Sequence, residues 1–239
     1  MGTTGTTSPR IERILHAARE LALQGGTRGV TIANIAHHAG VGKGTVYLYW
    51  ATKEDLFADL LAHDFLDVLS EIGAAIRDNP ANVVPHRLLP LVASTFEQHP
   101  FAVAVLSTGQ NVRSVMGNHP AIERMTRSIG PVAVLLRIFP VLRRHEVIRA
   151  DLPLEMQVHA AAGLLHGLRD IGSREHVADL LPGSDPQTTL ATACAVLLEP
   201  ADAVDPAAAA REARAALDDA CTAAIADLHE HGLGKTVSP

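Results

Sequence analysis

Apolar positions recur along nearly the whole chain at three- and four-residue spacing, the period of an α-helix buried on one side. Ile11, Ile14, Leu15, Ala18, Leu21 and Ala22 form the first such run, and the Gly25-Gly26 pair should end it. A second, shorter run (Ile32, Ile35, Ala36) stops at Gly40, with Val41 and Val46 following one and six positions later. Thr52-Lys53-Glu54-Asp55 has the form of a capping box, so a fourth helix should start there and continue to about Arg77. Beyond Asn79-Pro80 prolines punctuate the pattern, and the runs between them predict helices at about 83–98, 100–108, 120–145, 154–172, 186–198 and 206–231. Pro131 and Pro140 fall inside 120–145, where each removes a backbone donor and should kink or divide the helix. β-branched alternation is missing, so no strand is expected and the fold class is all-α, with about nine to ten helices.

Residues 31–61 carry the most information. A glycine at 40 can take the left-handed conformation that ends one helix and redirects the chain into the next. Ala36 supplies the small residue that two steeply crossing helices need, while Val41 and Val46 can close a small core with Ile32 and Ile35. The pattern is a helix-turn-helix, and its second helix is the one to place in a DNA groove. From Lys43 to Trp50 that helix offers a cation, a bare backbone at Gly44, a hydroxyl at Thr45 and phenols at Tyr47 and Tyr49. These are groups that hold phosphate oxygens, and Thr45 is short enough for a base edge or a thymine methyl.

The run GVGKGTVYLYWATKEDLF resembles the signature of the tetracycline-repressor (TetR) family of bacterial transcription regulators, a resemblance extending from about Arg10 to Leu61. It implies an all-α homodimer with an N-terminal three-helix DNA-binding domain, joined by a long helix to a C-terminal helical domain for ligand binding and dimerisation. By matching position it implies phosphate or base contacts from Thr31, Lys43, Gly44, Thr45, Tyr47, Tyr49 and Lys53. Two positions depart from the family pattern. Gly42 stands where a Ser or Thr is frequent and can cap a helix without offering a hydroxyl, and Trp50 replaces the usual phenylalanine, a change to packing rather than readout.

The same GVGKGT invites comparison with a phosphate-binding loop, but that pattern needs a glycine where His37 stands, a Ser or Thr in place of Gly44, and a preceding strand. Charge favours the DNA reading. The net charge of −6 divides into +4 over residues 1–53 and −10 over the rest, a basic head on an acidic body. Cys194 and Cys221 are too few for a disulfide framework, no signal peptide is visible, and no apolar run reaches the roughly 20 residues of a bilayer span. A cytoplasmic protein is expected. The domain boundaries read as a disordered arm at 1–9, a DNA-binding domain at 10–53 and the ligand-binding and dimerisation domain at 54–239.

In the body, Met156, Ala160, Gly163, Leu164, Gly167 and Ile171 share one broad face of 154–172 and, with 186–198, are candidates for a helical bundle between subunits. An apolar effector would find lining residues among His63, Phe65, Phe96, Phe101, Met125, His166 and Arg169. The histidines show no metal-ligand spacing, His159 and His166 being two turns apart, and no cofactor is implied. A homodimeric repressor, binding a palindromic operator in double-stranded DNA and released by an apolar small molecule, is the reading these features favour. The alternatives are an activator, a ligand-independent regulator, or a helical enzyme using Arg169-Asp170 and nearby histidines, although no nucleophile, base and oxyanion donor stand together.

Overall fold

The computed structural model describes residues 8–106, 119–172 and 174–233. Most of the expected N-terminal arm, and the last two residues of the helix expected at 100–108, lie outside them. The described residues are helical with no strand: α1 (Pro9–Gly29), α2 (Ile32–His38), α3 (Lys43–Tyr47), α4 (Lys53–Asp78), α5 (Pro85–Glu97) and α6 (Pro100–Leu106) come first. There follow α7 (Pro120–Ile129), α8 (Pro131–Arg144), α9 (Leu154–Gly172), α10 (Glu175–Leu180), α11 (Pro186–Leu198) and α12 (Ala207–Glu230). Contacts divide the chain into two compact units.

The first unit takes the described parts of 1–67, 99–129 and 221–239. Pro9 opens α1, where a missing N–H costs nothing, and the helix buries Ile11, Ile14, Leu15, Ala17, Ala18 and Ala22. Gly26, at φ 70° and ψ 161°, interrupts it where the glycine pair predicts. Thr31 caps α2 reciprocally with Asn34: Thr31 Oγ1 accepts from the Asn34 N–H and Asn34 Oδ1 from the Thr31 N–H, both at 3.2 Å. At the far end Gly40 adopts φ 65°, its N–H donating to the His37 carbonyl (3.1 Å) and that of Val41 to the Ala36 carbonyl (2.9 Å). This Schellman ending is the glycine hinge expected from sequence. Ile32, Ile35, Ala36 and Val46 are buried. Val41, expected beside them, is half-buried, because it belongs to the turn that its own N–H closes.

The predicted capping box starts α4: Thr52 Oγ1 accepts from the Asp55 N–H and Asp55 Oδ2 from the Thr52 N–H, both at 3.0 Å. Residues 56–62 are all buried, as in a helix enclosed on every side. Phe57 stacks on Phe101 of α6 with ring centroids 5.8 Å apart. Asp64, wholly buried, is paired with the Arg19 guanidinium of α1 and also accepts from the Ala102 N–H of α6 at 3.1 Å. A buried charge is tolerated only with such partners. Arg124 of α7 pairs with Asp227 of α12 at 3.3 Å, and His119 Nε2 lies 3.2 Å from Asp55 Oδ1.

The second unit takes the described parts of 68–98 and 130–220. Here α11 packs along α5, and α9 along α8 and α11. Glu199, just past α11, accepts from the backbone N–H of His86 (2.7 Å) and meets its Nδ1 (2.9 Å). Pro131 divides the helix expected at 120–145: it is the first residue of α8, behind a Gly130 cap. Pro140 sits within α8 without ending it. The carbonyl that loses its partner belongs to Leu136, whose side of the helix is open to water, the residue being 45% exposed. The end of α8 repeats the Gly40 geometry without a glycine: Glu146 takes φ 56°, and Val147 N–H reaches the Leu142 carbonyl at 2.8 Å. Helix α10 was not expected, since six residues are too few to display a period.

The stretch 120–144, a mean hydropathy of 1.4 over a span-length window, passes the length and composition test for crossing a bilayer, yet half that window is buried in the protein. Core helices pass the same test.

Candidate nucleic-acid interface

The helix-turn-helix presents an exposed surface on α3. Stepping about 100° per residue from Val46, Gly44 and Leu48 lie about 160° away and Tyr47 about 100°, while Lys43, the first residue of the helix, lies about 60° away. Burial agrees: Val46 has no exposed surface and Trp50 has 2%, whereas Tyr47 is 55% and Leu48 75% exposed. Lys43 and Gly44 are exposed as well, and Thr45 is half-buried.

Gly44 calls for explanation. A Cβ built there meets no atom within 4 Å, and its φ is not in the left-handed region. Nothing inside the chain requires glycine, which costs a helix about 0.5–1 kcal/mol relative to alanine. The bare backbone keeps the outer surface open to whatever approaches it. Gly42 caps α3 without a side-chain bond, as its lack of a hydroxyl implies.

The remaining expected contact residues are placed differently. Thr31 is exposed, but its hydroxyl is engaged in the cap of α2. Tyr49 is half-buried and tilts against Trp50, ring centroids 5.6 Å apart. Lys53 is half-buried and its ammonium donates to the Thr27 carbonyl at 3.1 Å, joining the end of α1 to the start of α4. Trp50 does serve packing: its Nε1–H donates to Asp59 Oδ2 at 2.8 Å inside the core. His37 and His38 are exposed, and His38 Nε2 lies 2.8 Å from Glu20 Oε2 of α1. Leu48 was not singled out from sequence. An apolar residue in an apolar run carries no sign of exposure until its neighbours are folded.

A second open surface lies on the second unit. Along α9, Met156 (55%) and Ile171 (48%) are exposed, Ala160, Leu164 and Gly167 half-exposed, and a Cβ at Gly163 or Gly167 would meet nothing within 4 Å. The inward face carries Gln157, Val158 and Ala161 instead. On α11, Val196 is 69% and Leu197 42% exposed, beside a groove of about 650 Å³ lined by Asp185, Thr188, Thr189 and Thr192.

The candidate effector residues do not gather in one unit. His63, Phe65, Phe101 and Met125 belong to the first, with Phe65, Phe101 and Met125 buried; Phe96, His166 and Arg169 belong to the second and are half-buried. His166 Nδ1 lies 3.4 Å from the Arg169 guanidinium. Burial, and then that cation, lower the His166 pKa below the ordinary imidazole value. Cys194 is shut away, its thiol pushed up to about 12 by burial and by Glu199.

The family model for bacterial regulatory proteins of the tetR family matches residues 14–60, the span from α1 into α4 just described. Over that span, the helix-turn-helix head, the chain is similar to the TetR family. The chain is 26% identical over 121 residues to the HTH-type transcriptional regulator YhgD of Bacillus subtilis, covering 50% of this chain and 63% of that one. It is 40% identical over 60 residues to the HTH-type transcriptional regulator Rv2250c of Mycobacterium tuberculosis, 25% of this chain and 32% of the other. Both alignments thus span less than two thirds of the relatives' length. The fold continues beyond the head: the fatty acid degradation regulator FadR from Bacillus halodurans superposes with a TM-score of 0.59 at 18% identity, over 80% of this chain and 96% of that one. These relatives are named as regulators rather than enzymes.

Proposed function

We propose that the protein is a cytoplasmic, homodimeric transcriptional repressor that binds a palindromic operator in double-stranded DNA and is released by an apolar small molecule. The observation that carries the DNA-binding part is the exposed surface of α3, where Lys43 and Tyr47 stand beside a backbone left bare at Gly44 with no internal reason for it. A cation, a phenol and an unobstructed backbone are what a phosphate-lined groove accepts. Thr31, Thr45, Tyr49 and Lys53 complete the proposed contact set, Lys53 from a position where it also braces α1 against α4.

The open faces of α9 and α11 support dimerisation, because two heads must reach half-sites about one DNA turn, roughly 34 Å, apart. Helix α4 starts at the capping box beside the head and runs 26 residues, so it is the natural lever for a signal from an effector. Of the expected lining residues, His63, Phe65, Phe101 and Met125 share the first unit and remain the proposed lining, a reading supported by their apolar and polar mixture alone.

The test is a binding titration on the protein's own upstream region and on genomic fragments. Lys43→Ala and Tyr47→Ala should each weaken binding, and Lys43→Ala should reduce the dependence of log affinity on log salt by about one contact's worth. Unchanged affinity and salt slope in both variants would remove these residues from the interface.

A further inference from the structure

Residues 43–49 read KGTVYLY and, of the side chains that discriminate guanine, adenine and cytosine by paired hydrogen bonds, contain only Lys43. Lys43 at the helix's first turn, the hydroxyl of half-buried Thr45 and the single hydroxyl of Tyr47 are what α3 offers a base edge by hydrogen bonding. It also presents Leu48. This side chain is 75% exposed, more than any other exposed large apolar residue among those described. It belongs to the arc of the proposed contacts: about 40° around the helix from Gly44 and 100° from Tyr47 at 100° per residue. Its N–H still closes a helical turn on the Gly44 carbonyl at 3.2 Å, so its backbone is held on the helix rather than released into the loop.

A leucine can neither donate nor accept a hydrogen bond, and its exposure in the free protein leaves its apolar surface in water. On the major-groove edges of the bases, the one apolar group is the C5-methyl of thymine. We infer that Leu48 is a specificity-determining residue that packs on a thymine methyl, one per half-site. The inference rests on the proposed DNA-binding reading and sharpens it: this head selects thymine at one position by apolar contact. The bare backbone of Gly44, on the same side, lets the helix come close enough for van der Waals contact with that methyl.

Binding sites are selected by the full-length protein from random-sequence duplexes. Each thymine of the recovered site is then replaced singly by uracil, which lacks only the methyl, and dissociation constants are measured by fluorescence anisotropy for the natural protein and Leu48→Ala. The natural protein should lose about fourfold at one symmetry-related thymine, the worth of one buried methyl, whereas Leu48→Ala should bind thymine and uracil equally there. Leu48→Ala should keep its circular dichroism and urea midpoint, since the side chain touches little. Tolerance of uracil at every position, or an equal uracil penalty in both proteins, overturns the assignment while the DNA-binding reading stands. Failure of the selection to enrich any sequence overturns that reading, and the assignment with it.

Discussion

At the scale of single residues, the clearest evidence of function is a residue that the fold does not need. Gly44 has room for a side chain and an ordinary helical backbone, so Gly44→Ala should stabilise the free protein by about 0.5–1 kcal/mol. The same methyl stands on the surface proposed to meet DNA, so operator affinity should fall. A urea denaturation and a binding titration on one variant separate the two effects, and a gain in both would show that the surface meets nothing. Trp50 is the opposite case. The resemblance marks it as a departure from the usual phenylalanine, and the structure supplies the reason, an indole N–H satisfying Asp59 within the core. A buried carboxylate nine positions on, at Asp59, leaves no mark on the pattern around Trp50 itself.

At the scale of elements, the local devices were legible and the long-range ones were not. The Gly40 hinge, the Thr52 box and the break at the Gly25-Gly26 pair each depend on a few consecutive residues, and each appears where the chain implies it. The bond from Lys53 to the Thr27 carbonyl spans 26 positions and has no local signature, so a residue expected to face phosphate also proves to be a brace. Leu48 escaped notice for a related reason: periodicity identifies apolar residues but not which of them the partner helices leave uncovered. Helix α8 offers an element-scale test. Glu146 holds the left-handed conformation at its C-terminus, φ 56°, where an L side chain costs roughly 1–2 kcal/mol. Glu146→Gly should therefore raise stability by about 1 kcal/mol, read as a higher urea midpoint at unchanged slope. No gain would mean that the glutamate side chain compensates for its backbone.

At the scale of the whole molecule, the proposed dimer makes the open apolar faces intelligible. Val196 is 69% exposed in the single chain, so Val196→Glu should leave the subunit's stability within about 0.5 kcal/mol. In sedimentation it should convert dimer to monomer, and operator affinity should drop with it, since each head alone holds one half-site. A monomeric natural protein, or a variant that still dimerises, would place the subunit contact elsewhere.

Asp64 has a consequence for how such a protein can be taken apart. Its two partners come from α1 and α6, 45 positions before it and 38 after it, and Phe57 leans on Phe101 of that same α6. The family match ends at residue 60, which invites cutting the chain behind α4 to obtain a portable reading head. Such a fragment would keep every proposed DNA contact and still lack Phe101 and the Ala102 amide, leaving an aromatic face bare and a buried carboxylate short of a donor. The boundary of sequence likeness is therefore not a boundary of folding, and grafts of this head onto other proteins must carry α6 with them.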